Sequence, residues 1–131
     1  MKTKQKPIMN YESVKTYEDV LGESGMQHFD ETNLRPDEIA RRKLEIIIEY
    51  LNGEWKANML DFAQEKWYAV FIFGHRPDGQ DKFLVWPGSN IGPSGTLMYI
   101  GHRLYLKSRE LALYVGERFW YLYYEMLGIN L

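Results

Sequence analysis

A chain of 131 residues is the length of one domain, and 45% hydrophobic and 15% aromatic content supplies a real core. The absence of cysteine excludes disulfides, thiol nucleophiles and thiolate metal sites, and fits a reducing compartment. The net charge of −2 hides an asymmetry: nine basic and thirteen acidic residues in 1–65 (net −4), six and two in 66–109 (net +4), one and three in 110–131 (net −2).

Residues 1–10 read as a flexible tail and 11–131 as one domain. The basic start lacks the apolar run of a secretion signal, and no stretch approaches the roughly 20 apolar residues of a membrane span. A soluble protein without membrane contact is expected. Residues 11–21 predict a short helix capped by Thr16 and stopped by Gly22. Residues 22–33 are polar and irregular. A second helix starts at Pro36, with Asp37 and Glu38 suiting its positive end. Its apolar positions are Ile39, Ala40, Leu44, Ile46, Ile47, Ile48, Tyr50 and Leu51, and Arg41, Arg42, Glu45 and Glu49 fill the other side. Asn52 and Gly53 end it.

Residues 66–73, rich in aromatic and β-branched side chains, predict a central strand apolar on both faces. A turn around Arg76-Pro77-Asp78-Gly79 leads to a returning strand at 82–86, stopped by Pro87. A glycine-rich loop at 88–95 precedes a third strand at 97–106. Ser108 caps one long last helix with a core stripe of Leu111, Val115, Phe119, Leu122 and Met126, stopped by Gly128. The expected fold is α+β: about three antiparallel strands in one layer, two main helices in the other.

The pattern argues against catalysis, and no catalytic, cofactor or metal residue is assigned. The glycine-rich loop lacks the Gly-Lys-Ser/Thr ending of a phosphate loop. His28, His75 and His102 are scattered without metal spacing, and Ser108 has a sufficient task as a cap. The suggestive set is basic and aromatic. Trp67, Tyr68, Phe83 and Trp86 lie among Lys66, Arg76, Lys82, Arg103 and Lys107, and rings beside a positive groove hold single-stranded nucleic acid at roughly 1–3 kcal/mol per stacked base. The nucleic-acid alternative rests on Trp67, Arg76, Lys82, Trp86, Arg103 and Lys107. The competing reading makes the rings core and pairs the basic strands with acidic helices inside the fold. The last helix is apolar over more than half its circumference. That predicts a homo-oligomer with Trp120, Tyr121 and Tyr124 near the contact.

Three blocks carry a resemblance. Residues 43–55 form a helix ending in Leu51-Asn52 with Trp55 shortly after, 66–71 form an aromatic strand, and 103–112 read Arg-Leu-Tyr-Leu-Lys-Ser-Arg-Glu-Leu-Ala. Thr16-Tyr17-Glu18-Asp19 also fits. Together they resemble an uncharacterised family of small proteins from gut Bacteroidales and their crAss-like phages. The strand match is looser, since Ala69 and Val70 stand about where the family has a further Trp and Pro. The resemblance implies a phage or mobile-element context and transfers no functional residue. The leading expectation is a non-catalytic binding or accessory protein of a phage or prophage, in the host cytoplasm or the virion. Single-stranded nucleic-acid binding comes second, and a small enzyme on an unrecognised site third.

Overall fold

The computed structural model describes residues 10–61, 63–73, 83–89 and 102–128. Most of the expected tail, the turn with Arg76, and Lys82 therefore lie outside the described residues, as do 97–101 of the expected third strand. The elements are helix α1 (Tyr17–Ser24), helix α2 (Pro36–Asn52), strands β1 (Trp67–Phe73) and β2 (Phe83–Ser89), and helices α3 (Arg109–Arg118) and α4 (Trp120–Leu127). Short 3-10 turns cover Tyr11–Ser13 and His102–Leu104. Helices layered on a small antiparallel sheet make the fold α+β.

Thr16 caps α1 as its position in the sequence predicts. Its hydroxyl accepts the Asp19 N–H at 3.0 Å, and the Asp19 carboxylate accepts the Thr16 and Lys15 N–H groups at 3.0 and 2.8 Å. These bonds, that from Lys15 foremost, hold the Asp19 carboxyl below the usual range. The helix does not stop at Gly22. It runs to Gly25, whose φ of +76° supplies the left-handed residue that a helix end of this kind requires. In α2 the residues that go under are Ala40, Leu44, Ile47, Ile48 and Leu51, all at most 1% exposed. Ile39, Ile46 and Tyr50 are half-buried at the edges of that stripe.

Strand β1 pairs antiparallel with β2, from Trp67 opposite Ser89 to Phe73 opposite Phe83. On its other edge β1 meets only Leu106 among the described residues, through Trp67 N–H to Leu106 O at 2.9 Å and Leu106 N–H to Trp67 O at 2.7 Å. Of the expected third strand the described part, 102–106, is thus corrected: His102–Leu104 is a 3-10 turn, and one residue makes the strand-like bridge. Because Trp67 directs both its backbone groups at Leu106, alternate residues of β1 point their hydrogen bonds away from β2. Pro87 lies opposite Ala69, at such a position, so its missing N–H costs the ladder nothing. That is why β2 continues through a proline expected to end it.

The last helix is two helices. Phe119 has φ −114° and ψ 28°, closing α3 with its N–H on Val115 O and opening α4 with its carbonyl on Leu122 N–H. α3 packs on both strands, whereas α4 packs against α2. The bend between them drives Phe119 fully into the core. Leu111, Val115, Phe119 and Leu122 are buried as the stripe predicts, and Met126 is half-buried. Ser108 accepts the Leu111 N–H at 3.2 Å and caps α3.

Gly116 sets the spacing between helix and sheet. A Cβ there would stand 2.7 Å from Val85 Cγ1 and 2.8 Å from Ala69 Cβ. Gly116→Ala gains about 1 kcal/mol of helix propensity but overpacks the layer, which costs typically about 1–3 kcal/mol. The expected outcome is a net loss in denaturant titration, and an unchanged or higher midpoint would show that α3 does not sit this close. The Tyr123 hydroxyl is buried with no hydrogen-bond partner among the described residues, and burial pushes its phenol well above the ordinary value. Tyr123→Phe should therefore hold or raise the same midpoint, because it removes a desolvated polar group.

Candidate functional site

The site begins with a carboxamide. Asn52, in the last turn of α2, is 6% exposed. Its Nδ2 donates to Tyr105 O at 2.9 Å and its Oδ1 accepts the Lys107 N–H at 3.0 Å. Leu106 has given its own N–H and C=O to β1, so its neighbours' groups face the opposite way. The Asn52 side chain meets them as the peptide group of a next strand would. Tyr105 and Leu106 are fully buried beneath this clasp.

The clasp presses the His102–Leu104 turn onto α2. Leu104 turns inward at 2% exposure, leaving Arg103 outside, over the charged side of α2. There Glu45 and Glu49 stand one helical turn apart. Arg103 Nε is 3.5 Å from Glu45 Oε1, and its Nη2 is 3.7 Å from Glu49 Oε1. Arg41 holds the other Glu45 oxygen at 3.0 Å. Beyond α2 the chain reverses at Gly53, whose φ of +65° combined with ψ of −124° suits glycine. The reversal brings Lys56 Nζ to 3.7 Å from Glu49 Oε2.

Between these groups lies an open cleft of about 140 Å³, lined by Glu45, Glu49, Asn52, Trp55, Lys56, Ala57 and Arg103. Its charges are layered. Glu45 is 19% exposed, while Arg103 and Lys56 are 56% and 70% exposed. The Glu45 carboxylate therefore lies in the floor, and the cations stand on the rim with Glu49, which is 51% exposed. Only the Arg41–Glu45 pair lies within hydrogen-bond distance. Exposed pairs of this kind are each worth about 0.2–1 kcal/mol, so the rim opens at little cost.

The basic aromatic set is dispersed. Trp67 is half-buried against the main core and donates its indole N–H to Glu65 at 3.2 Å. Tyr68 is 8% exposed, edge-on to Tyr105 at 6.0 Å between ring centroids. Lys66 is no surface cation: 2% exposed, it donates from Nζ to Asp61 O at 2.7 Å and Gln64 O at 3.2 Å, tying the loop before β1. Arg103 belongs to the cleft. Lys107 is exposed. Trp86 is placed by its backbone alone, opposite Val70, and Arg76 and Lys82 lie outside the described residues. Among the described residues the basic segment meets the acidic helix chiefly through Arg103.

Of the residues expected at a subunit contact, Tyr124 is 3% exposed within the chain, edge-on to Phe71 and Trp120 and packed with Val85. Trp120 is half-buried and Tyr121 is 44% exposed. The bend at Phe119 lets the sheet and α2 cover much of the apolar surface for which a second subunit was expected. His28 is also accounted for. Tyr17 Oη lies 2.8 Å from its Nδ1 and Glu31 Oε2 lies 2.6 Å from its Nε2, so both ring nitrogens tether the loop before α2. Among the described residues no three His, Asp or Glu side chains gather as a metal site would need, and no helix is long and apolar enough to cross a membrane.

Comparison with protein-family models, curated proteins and solved structures finds no match. Sequence reasoning missed the cleft because Asn52 reads as a helix stop and Trp55 as loop. The nearest signal was an asparagine in the last apolar turn, where a polar group needs a buried partner.

Asn52→Asp tests the clasp. The new carboxylate still accepts from Lys107 but faces the Tyr105 carbonyl with no proton to give. Burial and that carbonyl raise its folded-state pKa above the unfolded value. The destabilisation is thus full above the raised value and shrinks as pH falls through it, vanishing once the unfolded carboxyl is also protonated. Melts of wild type and variant should converge in acid, and a pH-independent gap would rule out a donor role for Asn52.

Proposed function

We propose that the protein is a non-catalytic binding protein, an accessory of a bacteriophage or prophage, that engages its ligand at the cleft between the end of α2 and the His102–Leu104 turn. The observation that carries the reading is the pairing of fixed walls with loose charges. The walls are held by Asn52 and Gly53, while Arg103 and Lys56 stand 3.5–3.7 Å from their carboxylates. A preformed concavity with a few convergent polar groups is what a ligand site requires. The lining has no hydroxyl, thiol or imidazole to act as a nucleophile, and the Asn52 amide is spent on the backbone. The phage setting rests on the resemblance alone. Its two helix-bearing blocks, 43–55 and 103–112, converge here and contribute Glu45, Glu49, Asn52, Trp55 and Arg103.

Nucleic-acid binding ranks second. Burial of Tyr68, the packing of Trp67 and the ion pairs of Arg103 leave Lys107 as the one exposed cation of that set outside an ion pair among the described residues. Steeply salt-dependent, sub-micromolar binding of a single-stranded oligonucleotide would reverse the order.

The reading is tested by NMR titration of the intact protein with a panel of small polar metabolites, run in parallel on Trp55→Ala. Trp55 is half-buried at the cleft wall, and its replacement should leave the fold in place. The expected result is binding by the wild type, lost or weakened at least about tenfold in the variant, a difference of roughly 1.4 kcal/mol, with the bound compound recovered unchanged. A compound that the protein converts would overturn the non-catalytic reading, and binding indifferent to Trp55 would move the site elsewhere.

A further inference from the structure

Resting on that binding reading, we infer that the cleft takes a small zwitterion of the α-amino-acid type, with its ammonium toward Glu45 and Glu49 and its carboxylate toward Arg103 and Lys56. A site for a plain anion would present cations in its floor, and a site for a plain cation would leave its carboxylates clear of competing arginine and lysine. This cleft does neither. Glu45 is the most enclosed charge, at 19% exposure, and Glu49, one helical turn on, is 51% exposed beside Arg103. Arg103 and Lys56, at 56% and 70%, stand nearer solvent. The enclosed Glu45 thus lies beneath a mouth where Arg103 and Lys56 outnumber Glu49, an order that meets a molecule with a cation at its inner end and an anion at its outer end.

The existing contacts permit the exchange. Arg103 lies 3.5 and 3.7 Å from the two carboxylates, and Lys56 lies 3.7 Å from Glu49, all beyond a good charged hydrogen bond. Turning Arg103 outward exchanges two loose pairs for a guanidinium–carboxylate pair with the ligand, and opens Oε1 of Glu45 and Oε1 of Glu49 to the ammonium. Arg41 stays on Glu45 at 3.0 Å and keeps that carboxylate in place. A volume of about 140 Å³ falls below the roughly 300 Å³ at which drug-sized pockets begin, so the ligand is of amino-acid size. Trp55 and Ala57 supply apolar wall for its side chain.

The test is calorimetric and NMR titration of the intact protein with L-leucine, N-acetyl-L-leucine and L-leucinamide. The second probe lacks the ammonium and the third lacks the carboxylate. L-leucine is expected to bind and to shift the cleft resonances, and each single-charge probe to bind at least about tenfold more weakly. Glu49→Gln should weaken L-leucine while narrowing its advantage over the acetylated probe. Arg103→Gln should narrow its advantage over the amide. Both positions are exposed, so an unchanged melt is the expected control. If N-acetyl-L-leucine or L-leucinamide binds at the cleft as tightly as L-leucine, the zwitterion inference falls while the binding reading stands. If none of the three binds, the zwitterion inference falls alone when only metabolites without the amino-acid pair of charges shift the cleft, and falls together with the binding reading when nothing in the metabolite panel does.

Discussion

The two hydrogen bonds of the Asn52 carboxamide are the constraint on which the rest of the described structure depends. They let residues 105–107 sit along the side of β1 away from β2, joined to it by the single bridge at Leu106. One side of that segment is paired with Trp67 and the other with Asn52, so no backbone group at its centre is left in an apolar surround. An unpaired group there would cost about 1–3 kcal/mol. The same two bonds fix the end of α2 against the start of α3, and so determine where the sheet, the bent C-terminal helices and the cleft meet.

Around that junction the packing follows from small residues and aromatic rings. Gly116 and Ala69 bring α3 down onto the strands, and Gly88 makes room for the Tyr68 ring on the opposite face, where a Cβ would stand 2.8 Å from Tyr68 Cε2. Phe71 bridges to Tyr123 and Tyr124 at 5.1 and 5.6 Å between ring centroids. The two strands of the described residues offer little area. Large rings and close approach are the means by which it still buries a continuous core.

Much of the fold was legible in the sequence where one residue had one local task. Thr16 and Ser108 read as caps and are caps. The apolar stripe of α2 reads inward and lies inward. Reading failed where tertiary context decided between equivalent local signals. Gly22 and Gly25 are both plausible stops, and only the packed helix length separates them. Pro87 reads as a strand end until the hydrogen-bond phase of β1 is known. The stretch from Leu111 to Met126 keeps helical spacing throughout, so the bend at Phe119 arises from two different partners, the sheet and α2. The cleft was the least legible feature. Its residues come from segments about 50 positions apart, and each has an ordinary reading alone: a charged helix face, a helix stop, a loop tryptophan, a basic strand residue.

The hydrogen bond from Tyr114 Oη to Val14 O, across 100 positions, and that from Arg118 Nε to Lys15 O have a consequence for how the chain is made. Ribosomes add roughly 5–20 residues per second. The segment at Val14 and Lys15 is therefore complete about 5–20 s before its anchoring residues exist. During that interval α1 depends on its own Thr16 cap and on whatever α2 offers. The N-terminal helix is thus made early and seated late: at eight residues it is too short to persist alone in water, and its anchors on α3 are among the last residues to arrive.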